Sequence, residues 1–194
     1  MRKAALLLVS LSALALSAAP GLAMGANWKD KAEGKEIVAN KTFKITGTFS
    51  TGGGFHCPKV EMELELHPGN AGDVNTFSIE NTAECSVTGA FAALGCNTVT
   101  AHAPVGLWKI TDEGTNIKFT NFALNVTLKG TGTCSGSVAF QVKNKAGASI
   151  TATPNNAESI SSVVFGGEGE MGGLSVAIGG AMNVLEPNIG TFGL

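Results

Sequence analysis

The sequence predicts an all-β protein, a single-domain β-sandwich of roughly ten antiparallel strands with Greek-key or jelly-roll-like connections. Three observations favour this fold class. Apolar and polar residues alternate along most of the chain, which is the pattern of half-buried strands. Short segments rich in Gly, Asn, Pro and Ser separate the alternating runs, as turns do. No segment repeats apolar residues at helical spacing beyond a turn or two.

The chain begins with the features of a secretory signal peptide. Arg2 and Lys3 precede an apolar run that starts at Ala4 and is short for a membrane-spanning helix. Small residues follow it, so we expect cleavage after Ala23, or as late as Ala26, and export by a Sec-type route to an extracellular location. Residues 1–23 are then the signal peptide, 27–40 a polar N-terminal arm, and 41–194 the sandwich domain.

Ten segments of the remaining chain carry the alternation of a strand. They are residues 42–49, 60–66, 74–80, 97–103, 107–111, 116–128, 137–142, 149–152, 161–166 and 174–185. In the sixth, the apolar phase slips by one near Thr120 or Asn121, which indicates a bulge or a strand passing from one sheet to the other. For the first hairpin we expect Phe43 opposite Leu66 and Lys44 opposite Glu65, because apolar residues then face each other and lysine faces glutamate.

The charge balance after removal of the signal peptide argues against nucleic-acid and nucleotide partners. Eleven lysines remain against fifteen acidic residues, a net charge of about −4, and no arginine is left. Arginine is the usual residue for bidentate contacts with phosphates and guanine edges. An acidic chain without arginine has little means of holding either kind of ligand.

The four cysteines, Cys57, Cys85, Cys96 and Cys134, predict two disulfides, because an even count in an exported chain is typical of cystines. Three pairings are open. We expect Cys85–Cys96, which closes a short excursion between two strands, and Cys57–Cys134, since both lie in glycine-rich turns that a sandwich could bring to one pole.

His56 stands beside Cys57 in the stretch GGGFHCPK, which raises the question of a metal site or a catalytic dyad. Adjacent side chains point apart in an extended segment, and no closely spaced cysteine pair of the zinc type exists in the sequence. We therefore interpret His56 as a turn residue beside a disulfide. The sequence predicts no metal site, no cofactor and no catalytic residue.

Glu61, Glu63 and Glu65 alternate with apolar residues and form the solvated face of an amphipathic strand in our interpretation. The alternative is a secreted hydrolase that uses a carboxylate such as Glu61 or Glu63. The segment HPGNAGDVN, residues 67–75, has oxygen ligands but lacks the spacing of an EF-hand loop, so we interpret it as a turn. A carbohydrate-binding module is a further alternative, although Trp28 and Trp108 are the only tryptophans available for stacking.

The C-terminal strand raises a question about its outer face. Its large residues share one face, whereas Ser175, Ala177, Gly179 and Ala181 lie on the other, where an exposed strand usually carries charge. Either the strand is central and neighbouring side chains cover these small residues, or the flat face receives a partner. The second hypothesis predicts self-association through this strand, or attachment to a cell-wall or glycan ligand.

The stretch KTFKITGTF, the middle cysteine pair, the later GTCSGSV and the ending AMNVLEPNIGTFGL resemble an uncharacterised family of secreted, β-rich, cystine-containing actinobacterial proteins. This resemblance implies export, strands and disulfides, and it supplies no catalytic residue. Together these observations predict a secreted, non-enzymatic binding protein or a structural protein of the cell envelope.

Overall fold

The computed structural model describes residues 27–31, 33–104, 108–185 and 190–194, so the predicted signal peptide lies outside the described residues. The chain is all-β. The fifteen strands are β1 (Lys29–Asp30), β2 (Lys35–Glu36), β3 (Lys41–Thr51), β4 (Phe55–Leu66), β5 (Ala71–Ile79), β6 (Ser86–Val87), β7 (Cys96–Pro104), β8 (Trp108–Asp112), β9 (Ile117–Thr120), β10 (Ala123–Gly130), β11 (Gly136–Asn144), β12 (Ile150–Pro154), β13 (Ser162–Met171), β14 (Leu174–Val184) and β15 (Phe192–Gly193). One short helix, α1 (Gly89–Ala93), and two 3-10 turns complete the described elements.

Eight of these strands close into a barrel, which corrects the predicted sandwich. The order around the ring is β12-β9-β8-β5-β4-β3-β14-β13, and β13 pairs again with β12 from Val163 to Gly167. All pairs within the ring are antiparallel. A barrel and a sandwich need the same alternation along each strand, so the sequence pattern predicts the strands and leaves the closure open.

A three-stranded extension, β11-β10-β7, continues the sheet from β13 outside the ring. β13 serves both parts, because its first half pairs with β12 and its last three residues pair with Val142–Asn144 of β11. The chain enters the extension at Asn121, whose positive φ of 58° ends β9 before β10 begins. The predicted phase slip near Thr120 or Asn121 therefore marks the passage from the barrel to the extension.

The barrel interior is filled by side chains. One end is packed by Phe43, Leu64, Ile117, Phe119 and Phe165 among others, and the space left between them is about 10 Å³, room for a single water molecule. Further along, Phe49, Phe77, Trp108 and Phe122 form a continuous aromatic cluster with ring centroids 4.4 to 6.1 Å apart. A barrel of this size holds either a packed core or one small ligand, and this one holds a packed core.

The first hairpin, β3–β4, has the predicted faces in a register shifted by two residues. Phe43 lies opposite Leu64 and Lys44 opposite Glu63, with a bulge between Gly47 and Phe49. Lys44 Nζ contacts Glu61 Oε1 at 2.9 Å. The pairing of Phe43 with Leu66 was thus wrong, while the division into an apolar inner and a charged outer face was right, because a two-residue shift keeps every side chain on its own face.

The N-terminal arm is docked onto one end of the barrel. β1 pairs with β2 and with β15 in a small separate sheet. Trp28 is fully buried; its backbone N–H donates to the carbonyl of Gly69 at 3.0 Å and its Nε1–H to that of Ala71 at 2.9 Å. The polar residues of the arm therefore flank a buried tryptophan that anchors the arm to the β4–β5 turn.

Two disulfides are present, as predicted, with a different connectivity: Cys57–Cys85 and Cys96–Cys134. β6 pairs with the start of β4 so that Phe55 faces Val87 and His56 faces Ser86, and the same register brings Cys57 opposite Cys85, with Cα atoms 4.2 Å apart. Cys96 opens β7, and the turn after β10 folds back against it through hydrogen bonds from Thr131 and Thr133 to the carbonyls of Gly95 and Leu94. The expected pairs Cys85–Cys96 and Cys57–Cys134 were wrong because β6, only two residues long, was not recognised as a partner of β4.

Peptide mapping of the unreduced protein should find cross-linked peptides for Cys57–Cys85 and Cys96–Cys134. The double substitution Cys57→Ser with Cys85→Ser should lower the free energy of unfolding by about 3 to 4 kcal/mol, because it releases a loop of 28 residues in the unfolded chain. Urea unfolding followed by tryptophan fluorescence would measure it. A peptide that joins Cys85 to Cys96 would contradict the β4–β6 pairing.

Replacement of Trp28 tests how firmly the arm is docked. Trp28→Ala should cost about 3 to 5 kcal/mol of unfolding free energy, since it empties a fully buried site. Trp28→Phe should cost less, because the carbonyl of Ala71 still accepts the backbone N–H of His67 when the indole donor is lost. Lys31→Ala, at an exposed position of the same arm, is the matched control. Equal stability of the three variants would show that the arm is not docked.

Candidate functional site

His56 and Cys57 lie within β4, not in the turn that the sequence predicted. Cys57 points into the core and is fully buried in its disulfide, whereas the half-buried His56 points outward between Ser50 of β3 and Ser86 of β6. The turn itself is formed by Gly52, Gly53 and Gly54. The two side chains therefore share neither a metal nor a proton, and the structural interpretation of Cys57 holds.

The three glutamates of β4 lie on the outer wall of the barrel, each half-buried. Glu61 pairs with Lys44, and this contact raises the pKa of Lys44, chiefly through the side-chain hydrogen bond. Glu65 accepts hydrogen bonds from the amides of Asn75 and Asn40 at 3.0 and 2.7 Å, which lower the pKa of its carboxyl group. The strand's acids are thus engaged in lateral contacts with neighbouring strands.

Asp73 of β5 is the most enclosed charged group on this wall. It is 8% exposed, and Lys109 Nζ lies 2.6 Å from its Oδ1, while His67 Nε2 lies 3.6 Å from its Oδ2. Register explains the cluster, since Glu65, Asp73 and Lys109 occupy one row across β4, β5 and β8. A carboxylate between a lysine and a histidine ties these strands together electrostatically. The cluster was not recognised in the sequence because Glu65 and Lys109 are 44 residues apart.

The turn between β4 and β5 has no free carbonyl oxygens for a cation at its tip. The carbonyls of Gly69 and Ala71 accept from Trp28, and that of Asn70 accepts the backbone N–H of Asp112 at 2.8 Å. Across the described part of the chain, no three side chains of the His, Cys, Asp or Glu type are placed to hold a metal ion. Only residues 67–70 form this turn, because β5 begins at Ala71, so the predicted turn of residues 67–75 is confirmed in its first four residues and wrong in its last five.

Asp112, at the end of β8, is a buried acid. Its side chain is 2% exposed; Oδ1 accepts the backbone N–H of Gly114, and Oδ2 finds no hydrogen-bond partner among the described residues. Burial raises the pKa of this carboxyl, and the Gly114 hydrogen bond and the charge of Lys29 oppose the shift. Ionised Asp112 is therefore a local cost to the fold at neutral pH.

Three grooves lie around the docked arm, with volumes of 170, 190 and 240 Å³. They are lined by Lys29, Asp30, Lys31, Glu33, Glu36, Lys41 and their neighbours, and Asp30 and Lys41 form an ion pair between them. None of these grooves contains Glu61, Glu63 or Asp73. The candidate carboxylates and the grooves therefore lie in different parts of the surface.

The C-terminal strand contributes the most distinctive surface. β14 is central, between β13 and β3, yet Ser175, Ala177 and Ala181 are exposed and Gly179 is half-exposed. Neighbouring side chains thus leave these residues uncovered. β13 adds two residues to this surface that the sequence did not place there. Val164 lies opposite Ala181, and Gly166 lies opposite Gly179. We call Val164, Gly166, Ala177, Gly179 and Ala181 the smooth face.

The two glycines of the smooth face are not required by the backbone. A Cβ atom at Gly166 would meet no atom within 4 Å, and one at Gly179 would make ordinary contacts, at 3.7 Å or more, with Ser50 Oγ and the carbonyl of Phe165. Neither glycine has a positive φ. By contrast, a Cβ at Gly180 would overlap the carbonyl of Thr48, so that glycine is dictated by strand packing. Glycine in a strand without such a need often marks the close approach of another molecule.

Comparisons with known proteins find no match: no family model, curated protein or solved structure is similar to this chain. The resemblance to secreted actinobacterial proteins therefore stays a prediction. None of the helices among the described residues is long and apolar enough to cross a membrane.

Asp112→Asn should make the protein more stable at pH 7. Because the pKa of Asp112 is higher in the folded protein than in the unfolded chain, its stabilising contribution is complete below the ordinary value of 3.8 and is lost as the pH rises through the folded value. The Asn side chain cannot ionise, so the variant does not lose this stability as the pH rises. Its gain in stability over the wild type should therefore be largest at neutral pH and shrink in acid. Urea unfolding from pH 3 to 8 measures it.

Glu113→Gln is the control for this experiment, because Glu113 is the exposed neighbour and pairs with Lys118 at 3.1 Å. Its removal should change stability little, and in the destabilising direction. A lower stability of Asp112→Asn at pH 7 would show that the carboxylate is satisfied in the folded protein.

Proposed function

We propose that this protein is exported and non-enzymatic, and that it acts as a binding or attachment protein of the cell envelope through its outer surface. The observation that carries the proposal is the smooth face: exposed small and apolar residues at the centre of the sheet, built around two glycines that the fold itself does not need, with Glu168, opposite Ala177, at its border. Two disulfides are compatible with an extracellular location and support the export that the N-terminal sequence predicts.

The filled interior supports an outward-facing role. Small-molecule sites are usually concave cavities of about 300 Å³ or more. The space inside the described end of the barrel is about 10 Å³, too little for any organic ligand. Binding energy must then come from contacts on the outside of the wall.

The positions of the glutamates favour this proposal over the alternative of a carboxylate-dependent hydrolase. Glu61 and Glu63 lie on the outer wall beside Lys44, and none of the grooves around the arm contains them. A general acid needs a substrate held in a fixed pose, which a convex wall does not provide.

The positions of the aromatic residues argue against a carbohydrate-binding module that stacks sugars on rings. Trp28 and Trp108 are both buried, and so are nine of the ten phenylalanines; the tenth, Phe140, is half-buried. What the smooth face does offer is low relief, so that a flat partner can approach closely: another β-sheet, a second copy of the chain, or a polymer strand of the cell wall. The row of Gly166 and Gly179 continues through Ser50 to His56, which extends the area with small hydrogen-bonding groups.

The double substitution Ala177→Lys with Ala181→Lys tests the smooth face. Both positions are exposed, so folding should be retained, whereas two ammonium groups on the face should block close approach. We expect binding to isolated actinobacterial cell walls, or self-association measured by sedimentation velocity, to weaken by about tenfold or more, because desolvating an unpaired charge costs more than the ~1.4 kcal/mol that this factor represents.

Asn97→Lys with Asn125→Lys is the matched control, since it adds the same charge at exposed positions of β7 and β10. It should bind as the wild type does. The proposal fails if the wild type neither binds the walls nor associates, or if the smooth-face variant behaves like the control.

A further inference from the structure

The strand β11 has an open edge along most of its length. It pairs with β10 throughout Ser137–Lys143, but with β13 only through Val142, Lys143 and Asn144. β13 ends at Met171, and the turn at Gly172 and Gly173 leads back into β14, so β11 runs on past the end of this hairpin. On the side away from β10, no strand among the described residues pairs with residues 136–141.

This open edge lacks the features that usually protect one. Its residues Gly136–Val142, GSVAFQV, contain no charge and no proline, and three of the seven, Val138, Phe140 and Val142, are residue types that favour strands. Natural edges are commonly blocked by lysine, proline or a bulge, because unpaired backbone groups are a template for another strand. Val138 and Phe140 face the core and are only half-buried, while Ser137, Ala139 and Gln141 are exposed on the other face.

We propose that this edge pairs with the same edge of a second copy of the chain, antiparallel and about a twofold axis at Ala139. This register makes Val138 face Phe140 of the other copy, so the apolar side of each strand meets the apolar side of its partner. Ser137 then faces Gln141 on the polar side, and the ladder ends there because Val142 and Lys143 already pair with β13. No like charges meet, and the two extensions become one continuous sheet.

The segment's sequence favours a second copy over an unrelated peptide. It is self-complementary about Ala139, since in the proposed register the apolar residues Val138 and Phe140 face each other and the polar residues Ser137 and Gln141 face each other. Phe140 is already held in place by Phe91, with ring centroids 4.8 Å apart in an edge-to-face contact, so the inner face of the edge is preformed. Pairing therefore requires no rearrangement of β11.

The dimer should be weak and concentration-dependent. About five residues of each chain pair, which buries less than the ~1,200 Å² that stable complexes bury at least. The edge is also distinct from the smooth face, which belongs to the central strand β14. Substitutions that block one surface should leave the other intact, so the dimer proposal and the proposed function can be contradicted independently of each other.

A charge exchange across the axis tests the register. Ser137→Lys with Gln141→Lys places two ammonium groups opposite each other at both ends of the proposed ladder, and should weaken dimerisation by about tenfold or more because like charges then face each other. Ser137→Lys with Gln141→Glu places opposite charges there instead, and should dimerise at least as well as the wild type. Sedimentation equilibrium over a range of protein concentrations measures both, with circular dichroism to verify the fold.

Cross-linking gives an independent measurement that does not depend on charge. Ala139→Cys places one thiol on the twofold axis, and mild oxidation should give a covalent dimer joined at position 139, identified by peptide mapping. Ser78→Cys, at an exposed position of β5 outside both surfaces, is the control and should not cross-link in this way. A wild type that stays monomeric up to its highest soluble concentration overturns the proposal. It is equally overturned if both charge variants behave alike, or if no dimer linked at position 139 forms.

Discussion

Most of this structure depends on the pairing of β12 with β13, because it turns a curved sheet into a closed barrel. Five residue pairs, from Ile150 with Gly167 to Pro154 with Val163, form that seam. Closure removes the edges of eight strands, fixes which face of each is inside, and packs the interior with side chains until almost no space is left. It also sets where the protein can interact: a filled barrel offers its outer wall, the turns at its ends, and whatever part of the sheet escapes the ring.

The length of β13 determines which part of the sheet lies outside the ring. Its ten residues are too long for β12 alone, so the last three pair with β11 and start the extension. The disulfides reinforce the places where this arrangement is weakest. Cys57–Cys85 holds the two-residue strand β6 against β4, and Cys96–Cys134 ties the start of β7 to the turn that follows β10. β6 could not be stable through backbone pairing alone, since it forms only two residue pairs with β4.

The sequence was a good guide to features governed by local pattern and a poor one to features governed by long-range pairing. Alternation identified eleven strands in ten segments, because the predicted segment 116–128 contains both β9 and β10, and the phase slip near Asn121 marked the break between them. The same alternation cannot distinguish registers that differ by two, which is why Phe43 was matched with Leu66 and not with Leu64. The cysteine pairing and the burial of Trp28 depended on strands of two residues, β6 and β1, that carry no periodic signal. Of the candidate surface, the small residues of β14 were identified from sequence, whereas Val164 and Gly166 joined them only through the register of β13.

The distribution of charge over the outer wall shows which areas are committed to stability and which are available. Around β4, β5 and β8, the row of Glu65, Asp73 and Lys109 uses its charges within the sheet, so a partner there would have to displace existing contacts and pay for desolvating them. The five residues of the smooth face and Gly136–Val142 of β11 carry no charge, although Glu168 borders the smooth face opposite Ala177. A partner meets small or apolar side chains at the first area and unpaired backbone groups at the second. Since exposed strands normally carry charge to prevent association, its absence from two separate areas of a chain that is acidic elsewhere is most simply explained by contact with other molecules. The backbone edge can be satisfied by any strand in the right register, whereas the smooth face discriminates by shape alone, so the two areas would select their partners by different physical means.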